Sequence, residues 1–190
     1  CEMMCARVAK QKLPRLQPGE IVGDRYRIDG VVGRGGFGAV YHATQLDTGV
    51  EVALKVLINA FGASKVDGKR FEREAALVQR LTHPNVVQLL DFGHTHKGES
   101  YIAFELLQGT ALARVLKEQG ALPIERAAEI TRDVLLALEA AHALGIIHRD
   151  VKPGNVFLCA DDGVAKVLDF GIAKAVTGED AGGTQLTEAG

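Results

Sequence analysis

Two different apolar periods divide the chain. Between Tyr26 and Leu57 the apolar positions alternate or run in short β-branched stretches. That pattern predicts three strands, Tyr26–Val32, Ala39–Thr44 and Val50–Leu57. Asp47-Thr48-Gly49 supplies turn chemistry between the last two. From Lys69 to Leu81 the period lengthens. Phe71, Val78 and Leu81 share one helical face, with Ala75 beside them. His83-Pro84-Asn85 stops this helix, because the residue before a proline resists the α region. Val86–Phe92 and Tyr101–Leu107 read as two further strands.

The second half is mainly helical. Thr110–Gln119 reads as a short helix with Thr110 as N-cap and Gly120 past its end. Ile124–Leu144 carries an apolar stripe of Ala127, Ile130, Val134, Leu138 and Ala141, and Gly145 ends it. A polar knot follows Ile146-Ile147-His148. The strand Val156–Cys159 then turns at Asp162-Gly163 into Val164–Leu168. A β-rich front with one main helix, followed by a helical back, predicts the α+β class and two lobes with a cleft between them. The expected layout is a flexible tail over 1–19, ending in the turn Gln17-Pro18-Gly19, and one domain over 20–190. Within it, 20–107 is the small lobe with its hinge and 108–190 is part of a large lobe. Thr177–Gly190 is nearly devoid of apolar residues and reads as a loose tail.

Composition narrows the function classes. Of 190 residues 47% are hydrophobic and 24% charged, an ordinary globular balance. The net charge of −2 lacks the basic excess of a nucleic-acid binder. Arg7, Lys10, Lys12 and Arg15 make only the N-terminal tail basic. Cys1, Cys5 and Cys159 have no metal-site spacing and fit a reducing compartment without a disulfide framework. No apolar run reaches the ~18 residues of a membrane span, and no secretory leader is visible. A cytoplasmic location is therefore expected, with any membrane anchor lying past residue 190 in a longer parent protein.

Gly33-Arg34-Gly35-Gly36-Phe37-Gly38 holds a G-x-G-x-x-G pattern. By itself it fits a flexible turn as well as a phosphate cradle. A dinucleotide fold would need a helix directly after the glycines. Ala39-Val40-Tyr41-His42 continues instead as a strand, which favours a glycine-rich hairpin over phosphates. Val52-Ala53-Leu54-Lys55 puts an ammonium in an apolar strand, and Glu74 puts a carboxylate inside an apolar helical stripe. Each needs a partner if it faces inward, and a Lys55–Glu74 pair is expected. The sharpest constellation is His148-Arg149-Asp150-Val151-Lys152-Pro153-Gly154-Asn155. Asp150 can accept a hydroxyl proton, Lys152 can balance phosphoryl charge, and the Asn155 carbonyl can hold Mg²⁺. Asp169-Phe170-Gly171 adds a second hard oxygen ligand for Mg²⁺.

All these parts occur in one order, with matching elements between them, and in this the chain resembles the protein kinase family. The resemblance runs from about Tyr26 to the C-terminus. Lysine two residues after Asp150 is similar to the Ser/Thr branch, and the wording of Asp24-Arg25-Tyr26 and Val151–Asn155 to its bacterial members. A kinase-like bilobal fold is what the resemblance implies, with ATP and two Mg²⁺ as cofactors. It implies Asp150, Lys152 and Asn155 as catalytic residues, with Asn155 and Asp169 on the metals. Gly33, Arg34, Gly35, Gly36, Phe37 and Gly38 would cover the phosphates, and Lys55 paired with Glu74 would touch them. Val40, Ala53 and Phe157 would enclose the adenine, Phe104 would guard the back of its pocket, and Glu105 and Leu107 would offer backbone groups to its edge. Val78, Leu89, His148 and Phe170 would stack between the lobes.

The resemblance also implies regulation through Arg149 and a phosphorylated segment, with Thr184 and Thr187, then Thr177, as phosphosites. Substrates would be Ser/Thr side chains of proteins, with dimerisation for trans-autophosphorylation and no nucleic-acid partner. The A-P-E signature is absent. The chain therefore reads as a C-terminally truncated domain, expected to bind nucleotide but to turn over weakly alone. Small-molecule kinases and inactive nucleotide-binding relatives share parts of this pattern. Lys152 and the full glycine loop favour protein substrates over the first. Lys55, Asp150 and Asp169 together disfavour the second.

Overall fold

The computed structural model describes residues 15–35, 38–57 and 65–170. Its first half is a six-stranded sheet in the order β1-β2-β3-β4-β6-β5. The strands are β1 (Ile21–Val22), β2 (Tyr26–Gly35), β3 (Gly38–Gln45), β4 (Glu51–Leu57), β5 (Leu89–His94) and β6 (Ser100–Glu105). Every pairing in it is antiparallel. Side-chain alternation decides what the sheet buries. On β4, Val52, Leu54 and Val56 point into a core with Tyr26, Ile28 and Tyr41, so Ala53 and Lys55 take the opposite face. Leu16 packs against that same core, and its backbone N–H donates to the Tyr41 hydroxyl (3.3 Å). Packing thus includes Leu16, a residue of the expected tail over 1–19.

Helix α1 (Lys65–Gln79) lies across the sheet and buries Phe71, Ala75 and Val78. Phe71 meets Phe92 edge-on, with ring centroids 6.1 Å apart. The helix ends two residues before the predicted Leu81. Its last turn tightens through Arg80 and Leu81 amides onto the Leu77 and Val78 carbonyls, which keeps Leu81 in the core. Residues 86–88, predicted as strand, form instead a crossing segment with a parallel bridge from Val86 to Val167.

The second lobe begins with β7 (Gly109–Ala111), then α2 (Leu112–Gln119) and α3 (Ile124–Ala143). After a 3₁₀ turn (Pro153–Asn155) come β8 (Val156–Cys159) and β9 (Ala165–Val167). Thr110, predicted to cap α2, lies in β7 opposite Leu158, and the helix starts after Ala111 without a side-chain cap. The reason is close approach: Gly109, at φ 147°, sits where any Cβ would strike the Leu158 carbonyl, so the ladder claims this segment. On α3 the buried positions are Ile130, Asp133, Ala137 and Ala141. The face is rotated from the predicted stripe: Ala127 is exposed and Val134 and Leu138 are half-buried. On the far side Leu135 and Leu136 remain 60% and 40% exposed. One core cluster runs through both lobes, joining Phe71, Val78 and Leu89 to Ala137, Val167 and Phe170. His148 extends it, its ring 4.8 Å from that of Phe170.

Candidate active site

A cleft of about 410 Å³ lies between the lobes. Val40, Ala53, Phe104 and Phe157 supply apolar walls, and Glu105–Leu107 forms its edge where the two lobes join. Lys55 and Asp169 line it as well. This brings together residues separated by up to 137 positions, from Val32 to Asp169. Gly33 lines the cleft, and a Cβ at Gly33 or Gly35 would meet nothing within 4 Å. Arg34 beside them is exposed. Gly38 answers to a different need. At φ 154° it lies against the Val56 carbonyl, too close for any side chain. Gly36 and Phe37 lie outside the described residues, as do Thr177, Thr184 and Thr187.

Lys55 donates to Asp169 Oδ1 at 2.6 Å. The lysine side chain is 12% exposed and the aspartate 43%, so the contact is shielded mainly on the lysine side. The pair expected between Lys55 and Glu74 is not formed among the described residues. Glu74 is half-buried one position off the Phe71–Ala75–Val78 face, and it lines an outer groove with Arg73, Leu77 and Arg80. A dehydrated ammonium takes whichever carboxylate is within reach, and here that is Asp169.

The turn from His148 to Asn155 is built around a neutral imidazole. His148 Nδ1 accepts the Asp150 amide (3.2 Å), so Nε2 carries the proton and donates to the Leu168 carbonyl (2.7 Å). That second bond ties the turn to the strand leading into Asp169. Arg149 and Asp169 both adopt left-handed backbone, with φ 63° and 56°. Such conformations concentrate where side chains are aimed for function. Asp150 Oδ2 accepts from Lys152 Nζ (2.7 Å) and from Asn155 Nδ2 (3.2 Å). Asn155 Nδ2 also donates to the Asp150 carbonyl (2.8 Å). Its amide nitrogen is thereby committed, and its carbonyl oxygen is left as a hard donor for a cation. Among the described residues no group of three or more His, Cys, Asp and Glu could hold a metal ion. Asp169 and Asn155 fit a Mg²⁺ that takes its other ligands from phosphates and water.

Four residues of this neighbourhood were not singled out from the sequence. Lys166 on β9 donates to Glu105 Oε1 (2.6 Å), and that oxygen also accepts the Gln88 amide (2.9 Å). Asn85 Nδ2 donates to the Ala165 carbonyl (3.0 Å). Asp133, buried in α3, accepts the Ala165 amide (3.1 Å). The signals were present: Lys166 interrupts the apolar run Val164–Leu168, and Asp133 sits among apolar positions of α3. Burial of a charged group requires such partners.

The two lobes thus enclose an apolar slot edged by the Glu105–Leu107 backbone and lined also by the Lys55 ammonium and the Asp169 carboxylate. The protein kinase domain profile matches residues 26–188. The chain belongs to the protein kinase family, on the branch of bacterial Ser/Thr kinases. It is 44% identical over 154 residues to the serine/threonine-protein kinase PknE of Mycobacterium tuberculosis, covering 81% of this chain and 27% of PknE. The PknI kinase domain of the same organism superposes with a TM-score of 0.74 at 32% identity, over 83% of this chain and 64% of that one. Rad53 residues 1–466, in complex with AMP-PNP, gives 0.68 at 33% identity, over 78% and 38%. The chain spans between 23% and 32% of the length of several curated bacterial relatives. Among the described residues, no helix is long and apolar enough to cross a membrane.

Proposed function

We propose that the protein carrying this chain transfers the γ-phosphoryl group of ATP to Ser or Thr hydroxyls of protein substrates. The observation that carries this reading is that Lys55 and Asp169 line one cleft, while the turn that holds Asp150, Lys152 and Asn155 is tied to Leu168, next to Asp169, by the Leu168 amide on the Asn155 main-chain carbonyl (2.8 Å) and by His148 on the Leu168 carbonyl. Kinship with named Ser/Thr kinases, and with a structural neighbour bound to AMP-PNP, supports the nucleotide. Val40, Ala53 and Phe157 would enclose the adenine against the Glu105–Leu107 backbone. Mg²⁺, held by Asp169 and Asn155, would neutralise phosphate charge. Lys55 would exchange Asp169 for the α- and β-phosphates, with Glu74 as the partner that frees it. Gly33–Gly38 would cover the phosphates.

In the transfer, the substrate hydroxyl oxygen bonds to the γ-phosphorus while the bond to the β–γ bridging oxygen breaks. Asp150 takes the hydroxyl proton, ADP leaves, and Lys152 offsets charge on the moving group. Thr177, Thr184 and Thr187 are the proposed regulatory phosphosites, acting through Arg149 and reached by trans-phosphorylation within a dimer. The proposed setting is the cytoplasm. Residues 1–190 taken by themselves would turn over weakly, in keeping with the uncovered Leu135 and Leu136 face of α3.

The test is labelled-phosphate transfer from γ-labelled ATP to protein, comparing the intact parent protein with its Asp150→Asn variant. Loss of a general base lowers turnover about 10²- to 10⁴-fold. Equal labelling by both proteins removes Asp150 from the mechanism.

A further inference from the structure

The strand β9 is only three residues long, yet its backbone and side chains are held from three directions. From α3, Asp133 takes the Ala165 amide. From Asn85 and the crossing segment that follows it, Asn85 Nδ2 donates to the Ala165 carbonyl, the Asn85 main-chain carbonyl takes the Val167 amide (2.8 Å), and Val87 N–H donates to the Val167 carbonyl (3.1 Å). From the hinge, Glu105 takes Lys166. The crossing segment has a second edge on the hinge, because Gln88 and Glu105 exchange bonds: the Gln88 amide to Glu105 Oε1 and the Glu105 amide to the Gln88 carbonyl (3.0 Å). Glu105 therefore holds the crossing segment and β9 at once. The ion pair is shielded, with side-chain exposures of 20% for Lys166 and 30% for Glu105, so solvent and salt screen it less than a surface pair. Two residues past β9 lies Asp169, and one or two residues past Glu105 lie Leu106 and Leu107 at the edge of the cleft.

We propose that Lys166 and Glu105 form a positioning pair, a clasp that fixes the hinge relative to the strand carrying Asp169. It rests on the phosphoryl-transfer reading, since that reading puts adenine at the hinge and metal-bound phosphate at Asp169. A nucleotide anchored at both ends gains from metal only if those ends are held at the right separation. A slip of an ångström between β6 and β9 misplaces the phosphates against Asp169 and Asn155. On that reading each side chain of the clasp acts through the element it holds.

The test measures dissociation constants of the full parent protein for adenosine, for ATP and for ATP with Mg²⁺. Adenosine reads the hinge alone, and the gain in ATP affinity on adding Mg²⁺ reads the coupling of the two ends. Lys166→Met keeps the apolar stem, and Glu105→Gln keeps an acceptor for the Gln88 amide, so both preserve the local packing. Both are expected to shrink the Mg²⁺ gain about fivefold or more, and Lys166→Met, which lies outside the adenine site, to leave adenosine affinity within about twofold. The double variant should be no worse than either single one, as for two halves of one interaction. Lys166→Arg, which retains the pair, should retain the gain. An unchanged Mg²⁺ gain, additive losses in the double variant, or adenosine affinity falling in step in Lys166→Met would each overturn the clasp. A wild-type protein without Mg²⁺-dependent ATP binding would instead sink the phosphoryl-transfer reading, and the clasp with it.

Discussion

At the scale of single residues, chemistry here depends on which atom of a side chain is already committed. Asn155 illustrates this: its nitrogen is tied to Asp150, and its carbonyl oxygen is the atom the proposed cation would use. His148 is similar, since accepting the Asp150 amide forces its proton onto Nε2, toward Leu168. Cys159 gives a titration that can be read directly. Burial pushes its thiol above the ordinary range, and nearby Lys166 opposes that only in part. A raised value means less thiolate at any given pH below it. Peptide-resolved alkylation of Cys159 by iodoacetamide should be slower than that of a free thiol at pH 8, and its rate should still climb beyond about pH 9. A rate that levels off below pH 8 contradicts this.

At the scale of elements, the short strand β9 depends on side chains from elsewhere more than on its own propensity. Asp133 is the clearest case, a carboxylate inside the buried face of α3 that caps the Ala165 amide. Asp133→Ala leaves that amide without a partner in a dry site, which costs about 1–3 kcal/mol. The denaturant midpoint of the parent protein should fall accordingly, and Asp133→Asn, which keeps an acceptor, should recover part of the loss. A midpoint equal to wild type for the alanine variant would mean that water replaces the carboxylate. The helices were legible from their periods, and their errors have local causes. The face of α3 is rotated because a buried polar residue holds a position that an apolar count skips. Helix α2 lost its predicted cap because Gly109 brings Thr110 into a ladder that no local signal announces.

At the scale of the molecule, the two lobes share one core through Phe71, Val78, Leu89, Val167 and Phe170, so a ligand bound in the cleft between them would stabilise the fold. The structure holds Lys55 on Asp169, a contact that Mg²⁺ and phosphates would have to replace under the proposed function. ATP with Mg²⁺ at about 100 times its dissociation constant should therefore stabilise the parent protein by about 2.7 kcal/mol. Asp169→Asn should abolish the Mg²⁺-dependent part of that shift in a thermal melt while leaving the shift by adenosine. Equal shifts in variant and wild type would show that Asp169 holds no metal.

The sequence alone predicted most strands and helices and singled out Lys55, Asp150, Asn155 and Asp169 as candidates, because period and local spacing are written in neighbouring residues. Packing decided the rest. Which carboxylate meets Lys55 depends on how α1 lies on the sheet, and one residue of helical rotation separates Glu74 from the buried face. The clasp of Lys166 on Glu105 joins residues 61 positions apart, and no local pattern encodes a contact that exists only once the crossing segment has brought β9 to the hinge.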